Sequence, residues 1–365
     1  MDIEKIAELL QNLSPVTIRP QLCSKVITPK STCTNCQNIC PVNSITFTSI
    51  GLKADQCISC GLCIEACPNH VFRLNESKLL GISTKETPTL IITCSLLHQK
   101  LEKRNQGYVT QISCFGEFYP ELLVYLLTSN SRILLIHDPD NCKNCLAKSL
   151  EEKVNINQYA HIFNIDFTSK LQVINNLDDL KPYIGTPEIQ PAHDRRSFFK
   201  SIFNGSKNMS KQILDSALSR QNSNKKDKVQ PLKRYYLLEA LKKQENLELS
   251  ALLPYPQLNI NTCNFCGACS KLCPTKAIEI IQEDEKKVIT FTPNLCTHCH
   301  VCSDVCFFQG LSWGQNITVG DFLDKTPLLL ASAAQKTCEN CEQEYYDLND
   351  KNNLCFLCRP VQDVF

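Results

Sequence analysis

Glycine is scarce in this chain, with 11 among 365 residues, and the sequence contains neither G-x-G-x-x-G nor G-x-x-x-x-G-K-S/T. Nothing in it therefore indicates a bound nucleotide. Net charge is nearly absent too, at +1, which argues against a nucleic-acid or membrane-surface partner. Because no run of about 18 apolar residues occurs, we expect no membrane span.

The first residues lack the pattern of a secretory signal. Apolar residues between Ile3 and Leu13 share one helical face, which predicts an amphipathic helix within an N-terminal segment of residues 1–22. Cysteine, by contrast, is abundant, with 24 residues. A chain of this length can build a hydrophobic core without disulfides. We therefore expect a reduced, cytoplasmic protein whose thiolates bind metal.

The cysteines fall into blocks that divide the chain. Residues 23–67 hold eight, residues 263–306 hold eight in a similar arrangement, and residues 146–262 hold none. This internal repeat, interrupted by a different composition, predicts several domains. The expected segments are an N-terminal helix (1–22), a first cysteine-rich module (23–80), an α/β domain (81–185), a basic helical or linker region (186–255), a second cysteine-rich module (256–325) and a tail (326–365).

Both blocks contain the spacing C-x2-C-x2-C-x3-C. It reads "CISCGLCIEACP" from Cys57 and "CNFCGACSKLCP" from Cys263, and a short strand-like run follows each C-P step. The pattern closely resembles bacterial ferredoxins that carry two [4Fe–4S] clusters. The resemblance covers residues 23–75 and 260–312. It implies two ferredoxin-like folds and one-electron chemistry.

In that family, three thiolates of a cluster come from one loop and the fourth comes from the other motif. The resemblance implies three complete ligand sets: Cys57, Cys60, Cys63 and Cys40; Cys263, Cys266, Cys269 and Cys306; and Cys296, Cys299, Cys302 and Cys273. Structural zinc is the alternative. Zinc sites, however, use isolated C-x2-C pairs rather than triplets with a C-P step.

The sequence departs from the ferredoxin pattern at two positions. Lys30 stands where the first half-motif would have its first cysteine, and Phe307 replaces the proline that follows Cys306. Histidines at 298 and 300 flank a cysteine. Hydrogen bonds from such residues tune cluster potentials, although we expect exposed loop residues here.

The first half-motif needs a fourth thiol from elsewhere. We expect Cys23 to supply it, with "KVIT" (residues 25–28) as a strand that returns it to the cluster. The fourth [4Fe–4S] set would then be Cys23, Cys33, Cys36 and Cys67. A three-iron cluster, or no cluster, is the alternative.

Residues 88–146 alternate strand and helix signals, in the order "TLIITC", "SLLHQKLEKR", "YVTQISC", "YPELLVYLL" and "RILLIHD". This alternation predicts parallel βαβ units, and the apolar strands predict a sheet covered on both faces. Four cysteines lie at or beyond the carboxyl ends of strands, where parallel sheets bind ligands. These are Cys94, Cys114, Cys142 and Cys145.

A [2Fe–2S] centre or a zinc ion fits four such thiolates. The alternative for Cys94 and Cys114 is an ordinary buried cysteine. The layout faintly resembles the small iron–sulfur relay subunits of hydrogenase and heterodisulfide-reductase assemblies.

Two features complete the C-terminal half. "RYYLLEALKKQE" (residues 234–245) predicts an amphipathic helix that packs on its own domain. Two C-x2-C pairs separated by 13 residues predict a zinc ribbon in the tail, with a single rubredoxin-like iron as the alternative. Its ligands would be Cys338, Cys341, Cys355 and Cys358.

Together these features predict an α+β multidomain protein with two ferredoxin-like modules, a middle α/β domain and a zinc-ribbon-like knuckle. We expect a non-catalytic electron-relay subunit of a cytoplasmic anaerobic oxidoreductase, because look-alike chains serve formate dehydrogenases, hydrogenases and molybdoenzymes. Its partners would be a catalytic subunit and an electron acceptor or donor, in a hetero-oligomer. The alternative is an iron–sulfur maturation, assembly or redox-sensing factor that binds a client protein. An enzyme whose middle domain binds a flavin or a substrate is a third.

Overall fold

A computed structural model describes most of the chain outside its termini and the middle basic region. The described residues are 16–48, 51–54, 56–74, 88–130, 132–138, 159, 162–163, 166–180, 182–183, 231–244, 247–250, 252–260, 262–348 and 353–359. The helix predicted between Ile3 and Leu13 lies outside them, as do Cys142 and Cys145. Within the described ranges, every helix is too short or too polar to cross a membrane.

The described residues form mostly short strands and helices. The strands are β1 (Val16–Ile18), β2 (Ile45–Thr48), β3 (Gly51–Ala54), β4 (Phe72–Leu74), β5 (Thr89–Cys94), β6 (Thr110–Ile112), β7 (Arg132–Ile136), β8 (Leu171–Ile174), β9 (Leu252–Ile260), β10 (Ile278–Glu283), β11 (Lys286–Phe291), β12 (Leu311–Thr318), β13 (Leu328–Thr337) and β14 (Glu344–Tyr346). The helices are α1 (Ser24–Ile27), α2 (Asn35–Ile39), α3 (Leu62–Ala66), α4 (Ser95–Lys100), α5 (Lys103–Gln106), α6 (Pro120–Ser129), α7 (Phe167–Lys170), α8 (Leu232–Lys242), α9 (Ala268–Leu272), α10 (Val301–Asp304) and α11 (Val319–Asp324).

The first of two compact units lies within residues 1–20 and 34–248. Its centre is a parallel sheet with the strand order β6-β5-β7-β8. Strands β5 and β7 are buried along most of their length, as expected for a sheet covered on both faces. The parallel sheet that the sequence predicts in this segment is therefore confirmed, whereas β8 was not predicted.

Helix α8 packs against α6 on this unit, which confirms the helix predicted at residues 234–245. The Tyr236 ring lies 5.3 Å from that of Tyr125 and 6.1 Å from that of Tyr119, measured between centroids. Arg234 is nearly buried and its guanidinium lies 4.0 Å from Glu121. The apolar side of α8 thus contributes to the core of the first unit.

The described part of the first cysteine-rich module from residue 34 onward belongs to the same unit. Strands β1 and β4 pair antiparallel, and β2 and β3 form a hairpin. The 3-10 turn Phe115–Glu117, which follows β6, packs against α3. A Cβ atom added to Gly116 would lie 2.0 Å from the carbonyl oxygen of Cys60. Only glycine allows this approach between the module and the turn.

The second unit lies within residues 21–33 and 249–365. Strands β9 and β12 pair antiparallel, and a four-stranded sheet has the order β10-β11-β13-β14. The β10–β11 hairpin belongs to the second cysteine-rich module, and β13 pairs with β11. Tail and module therefore share one sheet, although the sequence predicts a boundary after residue 325.

The strand predicted at "KVIT" is wrong. Residues Ser24–Ile27 form the single helical turn α1, in which the amide of Ile27 donates to the carbonyl of Cys23 at 2.8 Å. Thr28 then turns extended, as the residue before a proline does. Pro29 has no amide hydrogen to give to a sheet ladder, so a local turn satisfies this segment better than a strand.

The packing of α8 predicts that a substitution on its buried face lowers the free energy of unfolding more than one on its exposed face. Leu237 has no exposed surface, so Leu237→Ala should lower the free energy of unfolding by about 2–5 kcal/mol. Lys242→Ala is the control: it removes only a solvent-exposed pair with Glu239, worth less than about 1 kcal/mol. Urea unfolding followed by circular dichroism measures both. Equal losses would contradict this packing.

Candidate metal centres

Three loops of the form C-x2-C-x2-C adopt the same backbone conformation. In each, the second residue after the first cysteine has a positive φ, and its amide donates to the sulfur of that cysteine at 3.2–3.4 Å. The residue after the second cysteine also has a positive φ. The equivalent residues are Ser59 and Gly61, Phe265 and Gly267, and His298 and His300.

The two left-handed residues reverse the direction of the chain twice, so that the loop surrounds its three thiols. We call this arrangement the double reversal. Glycine takes the left-handed region at no steric cost, which explains its use at two of the three equivalent positions. At Gly61, with φ +78°, a Cβ atom would also meet the Cβ of Glu117 at 2.6 Å. At Gly267, with φ +81°, nothing lies within 4 Å of that position.

The last cysteine of each motif follows a second common pattern. A short helix carries the third cysteine, and the chain turns at a left-handed residue three positions after the last one. These residues are Asn43, His70, Lys276 and Gln309. The next amide then donates to the cysteine sulfur in three cases: Ser44 to Cys40 at 3.4 Å, Val71 to Cys67 at 3.5 Å and Gly310 to Cys306 at 3.3 Å. The turn after Cys306 thus forms although Phe307 replaces proline.

One cavity in the first unit brings together a complete set of four cysteines. It encloses about 390 Å³, its opening included, and apolar side chains such as Val16, Leu62 and Phe72 form part of its wall. The four cysteines of this first site are Cys40, Cys57, Cys60 and Cys63. They are the set that the ferredoxin resemblance implies.

A cavity in the second unit does the same for another set. It encloses about 340 Å³, its opening included, and is walled by Ile278, Phe291 and Trp313. The cysteines of this third site are Cys273, Cys296, Cys299 and Cys302. The rings of His298 and His300 lie 4.6 Å and 5.1 Å from that of Trp313. His300 is exposed, as the sequence predicts, while His298 is half-buried.

The pKa shifts of its cysteines identify the remaining set of four, which we call the second site. Burial raises the pKa of Cys269 to about 12, and the charges of three neighbouring thiolates add to the effect. These neighbours are Cys263, Cys266 and Cys306. The pKa of Cys263 is raised by burial and by the thiolates of Cys266 and Cys306. The four cysteines therefore lie close enough to repel one another when ionised.

The same effect acts inside the two cavities. Burial first, and neighbouring thiolates second, raise the pKa of Cys63 and of Cys302 well above the usual range. A group of positive iron ions removes this penalty, because a coordinating thiol is deprotonated by the ion it binds. Four thiols in an apolar, amide-lined pocket thus fit a [4Fe–4S] cluster.

The second and third sites are neighbours within their unit. Cys269 of the second site is among the thiolates that raise the pKa of Cys302 in the third. In the first unit, Cys36 acts on Cys63 in the same way. Each complete site therefore has another cysteine group close by.

Comparison with protein families agrees with this geometry. Residues 262–309 match the model of a 4Fe-4S dicluster domain, and residues 52–73 match that of a 4Fe-4S binding domain. The chain carries ferredoxin-type 4Fe-4S domains. These domains support an iron–sulfur electron-transfer role. No curated protein matches the chain.

The first ferredoxin-type match begins after the incomplete half-motif, which the structure also sets apart. Thr34 occupies the position of Gly61 but has φ −130°, so the loop around Cys33 lacks the double reversal. Cys23 precedes the helical turn α1. The set of Cys23, Cys33, Cys36 and Cys67 stays a prediction.

The tail cysteines form a different kind of centre from the ferredoxin-type sites. The sulfur atoms of Cys338, Cys341, Cys355 and Cys358 all lie within 4.8 Å of one another, and Cys341 and Cys355 are 3.6 Å apart. A tetrahedral ion with metal–sulfur bonds of about 2.3 Å separates its ligands by about 3.8 Å. The spacing therefore fits one metal ion. The amide of Cys355 donates to Cys338 at 3.2 Å and lowers its pKa to about 6.

The edge of the parallel sheet brings two of its four predicted cysteines to adjacent strands. Cys94 ends β5 opposite Ile112, and Cys114 follows two residues later. His137 follows the next strand and its ring contacts Phe115, 6.4 Å between centroids, a neighbour that cysteine spacing did not reveal. Because Cys142 and Cys145 lie outside the described residues, the proposed metal site stays a prediction.

The two loop glycines give a matched test of the first site. Gly61→Ala adds a backbone clash to left-handed strain, so this variant should purify with about four fewer irons per chain. Gly267→Ala adds only the strain, about 1–2 kcal/mol, and should keep its iron. Iron and acid-labile sulfide measured on anaerobic protein decide between them. Equal iron content in the two variants would contradict the role of the Glu117 contact.

The tail site predicts one ion independent of sulfide. Cys358→Ser should remove about one metal ion per chain and leave acid-labile sulfide unchanged, because a single ion needs all four thiolates. Leu357→Ser, at the exposed neighbouring position, is the control and should keep the ion. Inductively coupled plasma mass spectrometry measures both variants and identifies the element. Loss of sulfide with the ion would mean that the tail binds a cluster.

Proposed function

We propose that this protein is a multi-cluster electron relay, the iron–sulfur subunit of a cytoplasmic anaerobic oxidoreductase complex. The observation that carries the proposal is the completeness of the cysteine sets. Two cavities are each lined by four cysteines. The four cysteines of the second site lie close enough for their thiolates to repel one another. When every corner iron has a thiolate, no iron is open to substrate. Such a centre exchanges single electrons.

Different residues of the chain would bind the clusters, set their potentials and exclude water from them. The thiols named above would hold [4Fe–4S] clusters at the first, second and third sites, and Cys23, Cys33, Cys36 and Cys67 would hold a fourth. Amide donors to the cysteine sulfurs stabilise the reduced, more negative state and so raise the potential. Apolar walls such as Phe72 and Phe291 exclude water. The closeness of Cys269 to Cys302 supports transfer between the second and third sites.

The remaining proposals concern the tail, the edge of the parallel sheet and the partner proteins. The tail knuckle would bind a structural zinc ion, and the edge of the parallel sheet would hold a [2Fe–2S] centre or zinc at Cys94, Cys114, Cys142 and Cys145. A catalytic subunit, of the formate dehydrogenase, hydrogenase or molybdoenzyme type, and an electron acceptor or donor would complete a hetero-oligomer.

Metal analysis with a redox titration tests the relay. Anaerobic protein should contain about 16 irons with equal sulfide, or about 18 if the sheet edge holds a [2Fe–2S] centre rather than zinc, and should take up about one electron per cluster. Cys23→Ser should lower the iron to about 12, because the fourth set loses its distant ligand. Rapid cluster transfer to an apo-ferredoxin during turnover would contradict a relay and support a maturation factor. Wild-type protein with several zinc ions and no sulfide would overturn iron–sulfur function.

A further inference from the structure

The two departures from the ferredoxin pattern meet in the structure. Lys30 replaces a cysteine and Phe307 replaces a proline, 277 positions further along the chain. Both belong to the second unit, and the Lys30 ammonium lies 5.9 Å from the centroid of the Phe307 ring. This is the distance of a cation–π contact. The two substitutions therefore form one feature.

Phe307 is part of a larger exposed apolar surface. Its ring lies 5.3 Å from that of Phe308, which lies 4.3 Å from that of Phe356 in the tail. Phe307 is 74% exposed, Phe356 is 41% exposed and the adjacent Leu357 is 85% exposed. We call these four residues the aromatic patch. Single exposed apolar residues are ordinary, but a contiguous group marks an interaction site.

The aromatic patch lies beside the second site. Phe307 directly follows Cys306, whose sulfur accepts the Gly310 amide. Among the described cysteines of the two ferredoxin-type modules, Cys266 of the same site is the one that is exposed. The second site therefore reaches the surface of its unit through Cys266, and the patch borders this site at Cys306.

Lys30 gives this surface a charge. The side chain is exposed, and none of the described carboxylates pairs with its ammonium. An exposed cation that borders apolar rings fits the rim of an interface whose partner supplies a carboxylate. Rim charges of this kind act mainly on the rate of association.

We propose that the aromatic patch and Lys30 form the docking surface for an acidic one-electron carrier protein. The proposal rests on the electron relay proposed above. The carrier sets an apolar contact face on the patch and a carboxylate against Lys30. One electron then passes from the reduced carrier, which is oxidised, to the centre held by the second-site cysteines, which is reduced.

Stopped-flow reduction of the anaerobic holoprotein tests this surface, with flavodoxin hydroquinone as the acidic carrier. The second-order rate constant of the wild type should fall as salt rises. Lys30→Glu should lower this constant about five- to tenfold at low salt, with the salt dependence lost. Phe307→Ser and Leu357→Ser should each lower it about tenfold, without changing that dependence.

Matched controls separate docking from folding and from the relay itself. Lys325→Glu and Leu329→Ser alter an exposed cation and an exposed leucine of the same unit outside the patch, and should keep the wild-type constant. Reduction by methyl viologen radical, together with iron content, should match the wild type in every variant. These results show that the centres are intact.

Three results would overturn the docking surface. The first is a wild-type rate with flavodoxin in the Lys30, Phe307 and Leu357 variants alike. The second is a wild-type protein that methyl viologen reduces but flavodoxin does not. The third is a wild-type dimer in sedimentation that Phe307→Ser dissociates, which would make the patch a contact between copies. If methyl viologen also fails to reduce the wild type, the relay fails, and docking fails with it.

Discussion

The mutual repulsion of grouped thiolates is the constraint on which this protein depends. Each complete site holds four cysteines where burial already disfavours ionisation, and each ionised neighbour makes it less favourable still. Backbone amides that point at the sulfurs offset part of this cost. The remainder must come from bound metal, so metal binding and folding are coupled in these loops. Few other arrangements would tolerate so many thiols in so small a volume.

The cysteines occur in two geometries that fit metal centres of different size. The tail sulfurs all lie within 4.8 Å of one another, which fits one ion, whereas the ferredoxin-type loops place theirs around a cavity. The tail is also anchored to the second module. The Tyr346 hydroxyl lies 2.9 Å from the side-chain oxygen of Gln335 and 3.2 Å from that of Gln282, so that it can donate its one hydrogen to either of them, and its ring packs 6.2 Å from that of Phe265. The knuckle is thus an extension of the module sheet.

Sequence reasoning succeeded where a residue type admits one conformation or one chemistry. The ferredoxin resemblance implied the same groups of four cysteines that line the two cavities, and the apolar run "TLIITC" predicted β5 with its bounds. It failed where tertiary partners decide. The segment "KVIT" forms a helical turn, the apolar pattern of β8 is too weak to predict a strand, and the pairing of β13 with β11 depends on residues 37 to 48 positions apart. The spacing of residues in the sequence does not predict that Lys30 lies close to Phe307, or that His137 lies close to Phe115.

The long-range contacts of the first unit bear on how the protein is made. The Lys233 ammonium donates to the carbonyl oxygen of Glu65, 168 residues earlier, and Gly116 lies against the carbonyl of Cys60. At about 5–20 residues per second, a ribosome needs roughly 8–35 s to synthesise that interval. During this time, the thiols of the first site lack some of the contacts that surround them in the folded protein. Nascent chains therefore pass through a period in which these cysteines are open both to the cell's iron–sulfur donors and to oxidants.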